Sequence, residues 1–134
     1  MTKRYFSYTI LIANIISMGL CIAGYLLNIG WYRFLFGIIL IPILLIHFIF
    51  HWSLVIKHTR ISKQTELYSC LSNIAIALTL VLLPDVSDVP PYYAVFGLYK
   101  NPPDLFGTIA LVSFVASFIL TFIAKRTDRK DTKK

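Results

Sequence analysis

Apolar residues fill four long segments of the chain, and polar residues are concentrated between them. Each segment comes close to the roughly 20 apolar residues that a helix needs to cross the hydrocarbon core of a bilayer. No acidic residue lies in the interior of any segment, since Glu66 stands only at the mouth of the third. The pattern predicts four transmembrane helices, which cover residues 8–28, 34–56, 66–83 and 105–124.

The composition also indicates a membrane protein. Of its 134 residues, 57% are hydrophobic and only 14% are charged, which is too apolar for a soluble domain and long enough for one domain. The connection at residues 29–33 is short, so the first two helices must form an antiparallel hairpin. We therefore expect an all-α membrane protein, with the four helices in a single antiparallel bundle.

Lysine and arginine are divided unequally between the two ends of the predicted helices. Eleven of the 13 lie on one side, and only Arg33 and Lys100 lie on the other. The positive-inside rule then places both termini and the middle loop in the cytoplasm. The net charge of +7 follows from this topology, so it does not indicate nucleic-acid binding. The compact length and the charge split favour a bacterial inner membrane.

Three local features of the predicted helices concern packing and ends. Ala13, Ser17, Cys21 and Gly24 form a stripe of small residues on the first helix, which lets helix backbones approach closely. Thr65 is a candidate cap for the third helix. The basic tail, residues 125–134, is expected to be a solvated, disordered end that leans on anionic lipid.

The external loop, residues 84–104, contains two proline pairs that bracket residues 92–100. Tyr92, Val95, Phe96 and Tyr99 recur there at the spacing of one helical face, which predicts a short amphipathic helix on the outer membrane interface. The loop either seals the bundle as a lid or docks an extracytoplasmic partner or lipid. In the second case the partner-facing residues are Tyr92, Phe96, Tyr99, Asp85 and Asp88.

All three histidines lie on or just after the second helix. His47, His51 and His58 return to one face of it, and the same line reaches back to Arg33. Ionisable residues inside a membrane are costly and normally face other helices, where they find partners. His47 and His51 are thus either neutral histidines hydrogen-bonded to neighbouring helices or ligands of a cofactor or ion.

Polar residues of the four helices coincide in depth. Asn14, His51, Asn73 and Ser117 all come out about 9–11 Å below the inner membrane surface at 1.5 Å per residue. We predict that they form one hydrogen-bonded layer, which holds His51 neutral and locks the register of the helices.

The histidine spacing suits metal binding, but the surrounding chemistry does not suit catalysis. His47 and His51 are four residues apart, yet Phe48 occupies the position where a zinc protease needs its glutamate. A Ser–His mechanism lacks an orienting carboxylate within the spans, and a proton-coupled multidrug carrier would need a buried acid. We expect no catalysis by this chain alone.

The segment His47-Phe-Ile-Phe-His51-Trp52, followed by a basic run, resembles the second histidine helix of small four-helix cytochrome b-like membrane proteins. The resemblance implies haem b held between helices, with His47 and His51 as candidate ligands. The other three helices contain no histidine. A second axial ligand would come from another protomer, another subunit or Met18.

Three functions follow from these features. The first is a non-enzymatic membrane protein that works by binding, as an accessory subunit or an immunity or inhibitor protein. The second is a haem- or metal-binding anchor for an electron-transfer partner. The third is a small transporter that works as a homodimer. The first predicts that changes in the external loop abolish function, and the second predicts that changes at the histidines do.

Overall fold

A computed structural model describes residues 7–28, 31–57, 61–84 and 91–132, with side chains placed for all of these except 31–33, 57 and 130–132. This part of the chain forms helices α1 (Tyr8–Leu27), α2 (Trp31–Lys57), α3 (Lys63–Leu82) and α4 (Asp104–Thr132), and strands β1 (Tyr93–Ala94) and β2 (Tyr99–Lys100). All four helices are long and apolar enough to cross a membrane. The prediction of an all-helical, multi-pass membrane protein is confirmed at that level.

Serine is the N-cap of both helices whose N-caps are described, including the third, for which threonine was predicted. The Ser7 hydroxyl accepts a hydrogen bond from the backbone of Ile10 at the start of α1. At the start of α3 the Ser62 hydroxyl accepts one from the backbone of Thr65 at 3.2 Å. Thr65 therefore lies inside the first turn, fully buried, and its prediction as the cap is wrong. Lys63 favours helix, so the helix begins earlier than its apolar run.

The small-residue stripe of α1 faces α3. The Ser17 hydroxyl donates to the backbone carbonyl of Asn73 at 2.8 Å, and the Cys21 thiol donates to that of Ile76 at 3.7 Å. At Gly24 the α3 backbone comes so close that an added Cβ would lie 2.8 Å from a carbonyl oxygen. Small side chains thus allow the two backbones to meet along most of α1.

Helix α3 occupies the centre of the fold. It has the most extensive contacts with α4 and also packs against α1. Its Ser72 hydroxyl donates to the backbone carbonyl of Ser117 on α4 at 2.7 Å. Nearer the C-terminal end of α3, a small apolar core joins α1, α2 and α3 through four residues: Cys21, Phe48, Ile76 and Leu80. By contrast, most large apolar side chains of α2 and α4 are exposed, which suits a lipid surrounding.

The segment predicted as an interfacial helix is a β-hairpin. Tyr93 pairs with Lys100 and Ala94 with Tyr99, and the turn between them covers residues 95–98. Val95, Phe96 and Gly97 all have positive φ, a conformation that a helix does not contain. Two physical reasons explain the error: nine residues are too few for an isolated helix, and the turn is held by tertiary contacts.

The basic tail is a continuation of α4 rather than a disordered end over residues 125–132. A span that is already helical adds each further residue at little cost, and Lys and Arg are good helix formers. The Lys125 ammonium lies 5.9 Å from the centre of the Phe50 ring on α2, a cation–π contact. Ala124 and Asp128 are also buried, so this turn of α4 packs against the protein. Residues 133–134 lie outside the described part.

Candidate functional sites

His51 links three helices. It is fully buried, its Nδ1 lies 2.5 Å from the Ser69 hydroxyl of α3, and its Nε2 lies 3.2 Å from the Thr121 hydroxyl of α4. The Thr121 hydroxyl donates to the carbonyl of Ser117 at 2.8 Å, so its oxygen is available to accept. The consistent assignment has Nε2–H donating to Thr121 and the Ser69 hydroxyl donating to Nδ1. A neutral His51 is thereby satisfied entirely by protein groups.

The residues of the predicted layer are all buried, but they are not hydrogen-bonded to one another directly. Asn14 donates to the backbone carbonyl of Phe48, and Asn73 donates to that of Ser69. Ser117 takes part through its carbonyl, which accepts from Ser72 and Thr121. The structure thus brings Asn14, His51, Asn73 and Ser117 into the same interior, where other groups connect them.

Sequence reasoning did not predict the hydrogen bonds that make these connections, which involve the hydroxyl groups of four residues: Ser17, Ser69, Ser72 and Thr121. The available signal was the spacing of polar residues on α3, where positions 65, 69, 72, 73 and 79 are all buried. A count by depth alone selects one residue per helix. It overlooks hydroxyls one turn away that reach the same groups.

His47 differs from His51 in its surroundings. It is 2% exposed, and within the described residues neither of its ring nitrogens has a hydrogen-bond partner. The ring lies 4.6 Å from that of His51 and 6.2 Å from that of Phe118, measured between ring centroids. The described residues therefore leave both ring nitrogens of His47 without a hydrogen bond.

Haem or metal ligation is constrained by this geometry. Both nitrogens of His51 already contact hydroxyl groups, so His51 could bind iron only by giving up one of these hydrogen bonds. Among the described residues, no three His, Cys, Asp or Glu side chains lie close enough to hold a metal ion. His58 lies outside the described residues, and so does the Arg33 side chain. His47 is the one described histidine with unengaged nitrogens.

The hairpin is anchored to the ends of α1 and α3. The Gly97 backbone N–H donates to Asn28 Oδ1 at 2.6 Å, and the Val95 backbone N–H donates to the Val81 carbonyl at 2.9 Å. Positive φ at the non-glycine residues Val95 and Phe96 costs free energy and persists only where neighbouring structure imposes it. The hairpin therefore has a defined shape that two helix ends maintain.

The predicted partner-facing side chains that are described differ in their exposure. Tyr92 and Phe96 are half-buried, and Tyr99 is exposed with its ring centroid 5.3 Å from that of Phe106. Leu98 is the most exposed large hydrophobic side chain of the described residues, at 83%, and sequence reasoning did not select it because it lies off the predicted helical face. Asp85 and Asp88 lie outside the described residues.

Replacing Asn28 by Leu should release the hairpin without unfolding the helices. Asn28 is buried and accepts the hydrogen bond from Gly97, so the change removes one anchor, worth about 1 kcal/mol. Amide hydrogen exchange at Gly97 should accelerate roughly fivefold to tenfold. Amides in the middle of α3 serve as the internal control and should be unchanged. Unaltered exchange at Gly97 would mean that the Val95–Val81 bond alone holds the turn.

Comparison with protein-family models found no match, and comparisons with curated proteins and with solved structures found none either.

Proposed function

We propose that this chain is a four-span membrane protein that works by binding another membrane or extracytoplasmic protein through its hairpin. It would serve as an accessory subunit, or as an immunity or inhibitor protein, with no catalysis of its own. The observation that carries the proposal is the anchored hairpin: a turn with strained backbone, fixed by Asn28 and Val81, that holds Leu98 out from the fold.

The physical argument concerns preorganisation. A strained turn costs stability, and such strain is concentrated at binding and active sites. A rigid turn loses little conformational entropy when a partner binds, which raises affinity without new contacts. Leu98 and Tyr99 supply an apolar and an aromatic group of the kind that interface centres use.

Orientation is part of the same proposal. The charge split of 11 to 2 supports an antiparallel bundle with both termini in the cytoplasm of a bacterial cell and the hairpin outside the inner membrane. The partner is then extracytoplasmic or embedded in the same membrane. Reporter fusions after residues 62 and 98 test the orientation, since the first should report cytoplasm and the second the outer side.

The binding test places a photoreactive residue at Leu98 in the native host. We expect one protein partner to be cross-linked from position 98 and not from Lys63, which is exposed near the start of α3 and proposed to lie in the cytoplasm. Leu98→Asp should weaken recovery of that partner about 30-fold, the effect of losing an interface centre worth about 2 kcal/mol. Leu98→Met is the matched control and should retain binding.

Two outcomes would contradict the proposal. Cross-linking from position 98 to lipid alone would indicate that the hairpin rests on the bilayer surface. Equal partner recovery for Leu98→Asp and Leu98→Met would place the contact elsewhere on the protein.

A further inference from the structure

Four buried polar atoms have no hydrogen-bond partner among the described residues: Asn14 Oδ1, Asn73 Oδ1 and both ring nitrogens of His47. The three residues are at most 3% exposed, so bulk water does not reach them. A buried polar atom left unpaired is uncommon, and several together call for a specific explanation. This observation is independent of the hairpin and of the function proposed for it.

The two amides cannot resolve the problem by turning over. Asn14 Nδ2 donates to the carbonyl of Phe48 at 3.3 Å, and Asn73 Nδ2 donates to the carbonyl of Ser69 at 3.1 Å. Rotating either amide by half a turn would place its oxygen against a carbonyl oxygen. Both Oδ1 atoms are therefore fixed as acceptors in need of a donor.

The three residues meet at one place in the bundle. Asn14 contacts the backbone of α2 at Phe48, the residue directly after His47. One turn further along α1, the Ser17 hydroxyl contacts the backbone of Asn73. On α2 and α3, His47 and Asn73 each lie one turn from the contact between His51 and Ser69. Helices α1, α2 and α3 each contribute one member to the cluster.

Counting donors and acceptors defines what the cluster can bind. Two amide oxygens and one nitrogen of a neutral imidazole accept, while the imidazole supplies a single N–H. Acceptors therefore outnumber the imidazole donor by three to one, which disfavours an anion and favours a donor. The near-complete burial of all three residues restricts the ligand to a few atoms.

We propose that Asn14, His47 and Asn73 form an enclosed site for one small hydrogen-bond donor, either water or ammonium. Such a ligand donates to both Oδ1 atoms and to the free imidazole nitrogen.

The test compares wild-type protein with His47→Phe in mild detergent, with sodium chloride or ammonium chloride at equal ionic strength. The replacement keeps an aromatic ring among its neighbours and removes only the two nitrogens. Because His47 has no hydrogen-bond partner among the described residues, an empty site predicts that Phe is neutral or stabilising. An occupied site predicts the opposite sign: a fall in the unfolding midpoint of roughly 2–8 °C.

The two ligands are distinguished by the salt. Bound ammonium would raise the wild-type midpoint in ammonium chloride relative to sodium chloride, and His47→Phe would abolish the difference. Bound water would leave the two salts equal, while NMR of ¹⁵N-histidine protein would show magnetisation transfer from a long-lived water to the His47 ring. Ser117→Ala is the control, since its hydroxyl bonds only within its own helix, and it should retain the wild-type salt response.

Three results would overturn the proposal. The first is a His47→Phe protein as stable as wild type or more so in both salts. The second is a His47 ring that shows contact with neither water nor ammonium in the wild-type NMR spectrum, a measurement that does not depend on whether the variant folds. The third is a Soret band lost in His47→Phe, which would assign His47 to haem.

Discussion

Gly24→Ala should destabilise the protein by about 1–3 kcal/mol, although it adds only one methyl group. The new Cβ would lie 2.8 Å from the backbone oxygen of Leu80 and 3.0 Å from its carbonyl carbon. Backbone atoms cannot swing aside as the end of a flexible side chain can. Helices α1 and α3 must therefore move apart, which also lengthens the hydrogen bond from Ser17 to the carbonyl of Asn73.

Gly19→Ala on the same helix is the matched control. No atom lies within 4 Å of a Cβ built there, so the methyl group meets open space and lipid. Alanine favours helix over glycine by up to about 1 kcal/mol, so this variant should be as stable as wild type or slightly more stable. Thermal unfolding in detergent compares the three proteins. Equal midpoints for the two variants would mean that the α1–α3 contact is looser than the structure indicates.

The four spans could be predicted from sequence because the bilayer imposes a simple rule. Each helix needs a long apolar segment, and residues such as Ile38 and Phe34 remain exposed to lipid in the fold. Helix ends were less predictable. A hydroxyl at Ser62 and the helix-forming residues after Ala124 extend α3 and α4 beyond their apolar runs.

The hairpin could not be predicted from its own residues. Spacing of i, i+3, i+4 and i+7 among aromatic residues fits a helical face, and the same residues also suit strands. Two contacts distant in sequence decide between them: Asn28 is 69 positions from Gly97, and Val81 accepts the hydrogen bond from Val95. Only the position of Gly97 inside the segment signalled a turn.

The interior of the fold was predicted in part for a related reason. Depth along each helix places Asn14, His51, Asn73 and Ser117 at one level, and all four are buried. Depth does not specify which neighbour each group faces. That depends on the rotation of every helix, which is set by close contacts such as Gly24 against α3. The hydroxyls of Ser69 and Thr121 became visible as partners of His51 only in three dimensions.

His51→Leu should cost about 1–3 kcal/mol of stability, because it removes hydrogen bonds to both α3 and α4 inside the membrane. The two partners it leaves behind are not equivalent. Thr121 retains its bond to the Ser117 carbonyl and its contact with Ser72, whereas the Ser69 hydroxyl has no other partner among the described residues. Most of the loss should therefore come from Ser69.

A double-mutant cycle with Ser69→Ala isolates that contribution. Ser69→Ala alone should destabilise, but His51→Leu/Ser69→Ala should be more stable than the sum of the single changes predicts, by about 1–2 kcal/mol, because no unpaired hydroxyl remains. Ser53→Ala on α2 is the control, since that hydroxyl donates within its own helix to Phe50 and should contribute little. Strict additivity of the two changes would show that His51 and Ser69 do not share a hydrogen bond. The contact between α2 and α3 would then depend on apolar packing alone.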